Sequence, residues 1–153
     1  MESLIGLGKA GCNIVSLLKN HPVYNDFYID TGIKGARHIC LPEYENTEDY
    51  DTNKASFKRN KSQIHNKVHF FMAGSGKVSG ASLRMLEQIK KHDLNVCYIK
   101  SDPDGIGSIA TKRERVSFNV LQQFARSGLL DDLILVDNLS LEAVIGDVPL
   151  IGY

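Results

Sequence analysis

Short apolar runs alternate along this chain with segments whose apolar positions recur every three or four residues. Leu4-Ile5 starts a strand, and the stretch from Asn13 to Lys19 gathers Ile14, Val15, Leu17 and Leu18 on one helical face. After the break at His21-Pro22, Phe27-Tyr28-Ile29 predicts a second strand that ends in Asp30-Thr31. Val68 to Met72 is apolar throughout, the mark of a strand covered on both faces. Ser79 to Lys91 then reads as a helix carrying Leu83, Met85, Leu86 and Ile89, and Val96 to Ile99 as the next strand. A turn at Asp102-Pro103-Asp104-Gly105 leads to a helix over 112–127, stopped by Gly128. Leu133 to Val136 is the last strong strand, with a short helix over 140–145. Residues 32–51 read as loop and 53–65 as an exposed helix. Strands alternating with helices need crossover connections. The pattern therefore predicts a three-layer α/β fold, a Rossmann-like, mainly parallel sheet flanked by helices in a single domain of 153 residues.

Composition narrows the function classes. Lys+Arg and Asp+Glu each total 18, so there is no net basic field to draw the chain onto nucleic acid. The acidic run from Glu43 to Asp51 and the basic residues Lys54, Lys58, Arg59 and Lys61 read as solvated surface. Three cysteines without CxxC spacing form neither a zinc set nor a disulfide framework, and are expected as buried, reduced thiols. No apolar stretch is long enough for a membrane span, and the start lacks the basic-then-apolar layout of a secretory signal. A cytoplasmic location is expected. The five histidines are scattered, and His69, inside an apolar strand, is expected to be a satisfied core residue.

The chemistry concentrates in two glycine turns, each between a predicted strand and a predicted helix. Gly6-Leu7-Gly8-Lys9-Ala10-Gly11-Cys12-Asn13 is the first, and Gly74-Ser75-Gly76-Lys77-Val78-Ser79-Gly80-Ala81 the second. A strand turning tightly into a helix aims free amides and the positive end of the helix dipole at one spot, and glycine lets a phosphate come close. Gly6, Gly8 and Gly11 fit the dinucleotide fingerprint. Asp30, roughly 20 residues on, stands where a nicotinamide-binding protein holds the ribose hydroxyls. Gly76-Lys77 is not a Walker A loop, because Val78 follows the lysine and Phe71 stands where its first glycine belongs. The plainer alternative is that the glycines only let helices pack close to strands.

With Gly8-Lys9-Ala10-Gly11-Cys12-Asn13 first, Gly74-Ser75-Gly76-Lys77-Val78-Ser79-Gly80 second and Val136-Asp137-Asn138-Leu139 after the last strand, the chain resembles the N-terminal nucleotide domain of the tubulin and FtsZ superfamily. The resemblance implies bound GTP or GDP, with Mg2+ carried by the nucleotide. Its implied contacts are Gly8, Lys9, Ala10, Gly11, Asn13, Gly74, Ser75, Gly76, Lys77, Ser79, Gly80 and Asn138, and Asp30 joins them as a nucleotide-binding candidate from the fingerprint spacing. It implies self-association and a GTPase completed by a neighbouring subunit. Ser75, Lys77 and Val78 depart from the family's glycine signature, and only Glu114 and Arg115 lie near its usual acid and arginine. The family's central helix and second domain would lie beyond Tyr153, so the chain is expected to be the nucleotide half of a longer protein, or to pack its apolar end on a partner. Two other readings stay open: an NAD(P)-binding protein built on Gly6, Gly8, Gly11 and Asp30, and a non-catalytic scaffold with a degenerate signature.

Overall fold

The structure is a computed structural model that describes residues 1–52, 55–100 and 103–137, apart from the side chains of residues 103–106. Six strands form one sheet: β1 (Glu2–Leu7), β2 (Tyr24–Thr31), β3 (His38–Leu41), β4 (Lys67–Ala73), β5 (Asp93–Lys100) and β6 (Asp132–Asp137). Their order is β3-β2-β1-β4-β5-β6, and every neighbouring pair is parallel. The helices are α1 (Gly8–Leu18), α2 (Thr47–Asp51), α3 (Ser82–Gln88) and α4 (Pro103–Arg126), the last interrupted at Gly107, where φ is 79°. The α/β fold with a parallel sheet is as the alternating pattern predicts.

Register shows how the layers divide. Ile5 pairs with Phe27 and Phe70, and Phe70 with Val96, so these side chains share one face. That face carries the main core, in which Met72 and Tyr98 pack with Met85, Leu86 and Ile89 of the α3 segment and Leu121 of α4. Burying one such side chain contributes roughly 1.5–3 kcal/mol. The opposite face is covered by α1, whose Val15 is fully buried. A helix about 10 Å across spans only about two strand spacings. Accordingly His69, Phe71 and Ala73 of β4 are half-buried while Val68, Phe70 and Met72 are buried, so β4 is not equally covered on its two sides.

Other differences from the sequence pattern have local causes. Residues 32–51 hold the short strand β3 and the helix α2 as well as loops. β3 exists because it pairs with Tyr28–Thr31, a contact that no local pattern reports. In 53–65 only Lys61–Gln63 forms a 3-10 turn. The expected helix from Ser79 is a 3-10 turn over Lys77–Ala81 followed by α3, because Ser79 bonds its hydroxyl to nearby carbonyls and Gly80 is a poor helix former. α4 begins at Pro103, before the expected start, with proline at a favoured first helical position. Asn138 and the short helix over 140–145 lie outside the described residues. Among the described residues no helix is long and apolar enough to cross a membrane.

Candidate functional site

The strand order reverses between β1 and β4: the chain leaves β1 toward β2 and leaves β4 toward β5. In open α/β sheets such a point forms a crevice at the carboxyl ends of the strands, where ligands bind. The two glycine turns follow β1 and β4 and stand side by side there, with Gly6 paired to Phe71 in register. This juxtaposition is the main fact about the site.

In the first turn each glycine has a distinct physical task. A Cβ on Gly6 would lie 2.6 Å from the Gly11 carbonyl oxygen and 2.7 Å from the Cys12 amide, so glycine lets α1 fold back tightly over β1. Gly8 has φ of 73°, a left-handed conformation costly for other residues, and opens α1. A Cβ on Gly11 would run into the Phe71 carbonyl, so α1 packs directly on β4. The extended Leu7 before α1 supplies no side-chain cap, and the first turn contains no acidic residue. The amides and positive pole of that helix start are therefore met by no side-chain cap from Leu7. Lys9 and Asn13 are exposed on the first turns, and Ala10 is half-buried.

Two residues support this turn. The Cys12 thiol lies 3.4 Å from the Gly6 carbonyl and 3.7 Å from that of Ile29, tying α1 to β1 and β2. Burial, aided by the nearby Asp30 carboxylate, pushes the thiol up to about 11 against the bond to Ile29, so it stays protonated at neutral pH. Asp30, at the end of β2, accepts the Thr31 amide at 2.8 Å and is half-buried. In sequence Cys12 shows only as one of three expected buried thiols, and its spacing carries no signal of this bracing role. Cys12 and Cys97 are half-buried and Cys40 is exposed, so the expected burial of the three thiols is partial at two and absent at Cys40.

The second turn is arranged differently. A Cβ on Gly74 would strike the Tyr98 hydroxyl, and one on Gly80 the Thr47 carbonyl, so both glycines make room for protein. Ser79 is buried, with its hydroxyl 2.7 Å from the Gly76 carbonyl and 3.1 Å from that of Gly74, and it accepts the Ser117 hydroxyl at 3.2 Å. Burial, reinforced by Glu114, raises the Tyr98 phenol, which donates to the Glu114 carbonyl at 3.2 Å. Ser75 is half-buried, and exposed Lys77 donates to the Tyr44 carbonyl at 3.4 Å. Gly76 alone of the three faces open space. Val78 bridges the two turns: its Cγ2 lies 2.8 Å from where a Gly8 Cβ would stand. The turns thus touch at Gly8, which is buried, while Gly76, two residues before Val78, is exposed.

The remaining candidates lie elsewhere or outside the described residues. Asn138 falls outside them. Glu114 is buried on α4 and Arg115 exposed. His69 is half-buried rather than in the core, and its ring is satisfied by a 2.8 Å hydrogen bond to the Glu2 carboxylate. The hydrogen bond from His69 holds the Glu2 carboxyl below its usual range, with Lys67 adding to the effect and burial opposing it. His92 has a ring nitrogen 2.9 Å from the His65 carbonyl. Compared with known protein families and with curated proteins, the chain matches no family model and no curated sequence.

Proposed function

We propose that this chain is a nucleotide-binding domain that takes the phosphates of GTP or GDP at the amide-lined start of α1, with Mg2+ carried by the nucleotide. The observation that supports the reading most is the first glycine turn, side by side with the second at the reversal of strand order and with no side-chain cap on its helix. Lys9 and Asn13, both exposed there, are the side chains offered to the distal phosphates, and Gly76 of the second turn is exposed with open space around it. The guanine base, self-association and a GTPase completed by a neighbouring subunit come from the resemblance to the tubulin and FtsZ superfamily. A cytoplasmic location goes with them.

A second reading is favoured by one specific feature. Gly6 and Gly11 give the tight turn and the close helix–strand packing of a dinucleotide fingerprint, although Val78 stands at Gly8, and Asp30 stands at the end of β2 beside Cys12. Calorimetric titration with GTP, GDP, ATP and NAD in Mg2+ separates the two. The guanine reading expects GTP and GDP to bind best, with Lys9→Ala and Asn13→Ala weakening both. Preference for NAD, lost in Asp30→Ala, selects the dinucleotide reading. Binding of none of the four overturns both.

A further inference from the structure

On the sheet face opposite α1, a cleft of about 580 Å3 opens between α2, the second glycine turn and α4. Its apolar surface comes from Leu83, Val116 and Val120, with Ile109 at one end. Ile109, Val116 and Val120 recur at the spacing of a single helix face, a stripe that a helix normally buries. Yet Ile109 is 67% exposed and Val116 63%. Lys112 and Arg113 stand on either side of this stripe along the α4 wall of the cleft, while Glu48 and Asp51 line the α2 wall. Among the described residues none of these four charges forms an ion pair. On the cleft wall, the Thr47 hydroxyl is buried and has no hydrogen-bond partner among the described residues.

An apolar centre with a cationic flank on one side and an anionic flank on the other is self-complementary. A two-fold axis running along the cleft lays the positive flank of each copy on the negative flank of the other, as an isologous dimer requires. We propose that this cleft is the contact surface for a second copy of this chain, with the α4 stripe of each subunit seated against the α2 rim of its partner. The contact is separate from the α1 turn and does not depend on a nucleotide.

Sedimentation velocity on the full chain at micromolar concentration and low salt tests it. The expected result is a dimer that weakens as salt rises, since rim charges are screened. Val116→Lys should weaken the dimer about tenfold or more, as loss of a central anchor does. Glu48→Lys with Asp51→Lys should weaken it as well. Adding Lys112→Glu and Arg113→Glu to that pair exchanges every sign and should restore the dimer. Four of these five positions are exposed, and thermal melts verify that each variant folds. A monomer at every concentration overturns the proposal. So does a dimer indifferent to Val116→Lys, or a folded fourfold exchange that stays monomeric.

Discussion

The two glycine turns look alike in sequence and differ in what their glycines do. In the first, Gly6 and Gly11 bring α1 tightly onto β1 and β4, and Gly8 supplies the positive φ that starts the helix. All three shape the start of α1, whose N-cap residue Leu7 gives no side-chain cap, as Gly76 and Ala81 give none to the helical turns that follow them. In the second, Gly74 yields to the Tyr98 hydroxyl, Gly80 yields to the Thr47 carbonyl, and Ser79 spends its hydroxyl on the turn itself. The helix after it, α3, has only seven residues and follows a 3-10 turn. A glycine-rich loop between strand and helix is therefore not by itself a phosphate cradle. In both turns most of the missing side chains leave room for protein, and only Gly76 meets nothing within 4 Å. What distinguishes the turns is that Gly8 opens the longer helix α1 directly with a positive φ, whereas a 3-10 turn precedes α3.

Substitutions test this contrast, and the largest effects belong to backbone walls. Gly11→Ala and Gly80→Ala each drive a methyl into a carbonyl that only a shift of main chain can move, at Phe71 and Thr47. Each should lose about 1–3 kcal/mol or more in denaturant unfolding, as overpacking does. Gly74→Ala meets the hydroxyl and ring edge of the buried Tyr98 instead of backbone, so its cost is set by how far that ring can shift. Combining it with Tyr98→Phe, which removes the colliding hydroxyl, should recover part of the loss. If the double variant is no more stable than the sum of the singles, Gly74 has another role.

A smaller effect follows from Cys12. Its raised value means that the folded chain keeps the proton after the unfolded chain has lost it. The unfolded state then binds fewer protons, so stability falls with rising pH in this window. The contribution is complete below about 9 and is lost toward about 11. Melting temperatures of the wild type should therefore drop more steeply across that interval than those of Cys12→Ala. The smallest effect is expected at Gly76, where φ is −81° and an added methyl meets nothing within 4 Å. Gly76→Ala should change stability by no more than about 0.5 kcal/mol. A nucleotide that reaches this face would still register the methyl as weakened binding.

How much of this was legible depended on the range of the interactions involved. The β1 turn into α1, the strands at Phe27–Ile29 and Leu133–Val136 and the parallel sheet follow from local runs and spacing. Strand β3 did not, because His38–Leu41 becomes a strand only through pairing with β2. The second turn misled for a similar reason: Tyr98 and Thr47, which give Gly74 and Gly80 their purpose, are remote in sequence. Val78 looked like a flaw in a glycine signature, whereas in the fold it is the contact between the turns. The α4 helix was expected too short, since Gly105 and Gly107 hid a start at Pro103. Asp30 and the glycines of the first turn were chosen from spacing, and they lie together at one sheet edge.

Amide chemical-shift mapping with GDP and Mg2+ tests the central claim most directly. The account predicts saturable shifts that are largest at Gly8, Lys9, Ala10, Gly11 and Asn13, smaller at Gly76, and least at Gly80 behind Thr47. Shifts centred on the α2–α4 cleft, or an unchanged spectrum at saturating nucleotide, would contradict it.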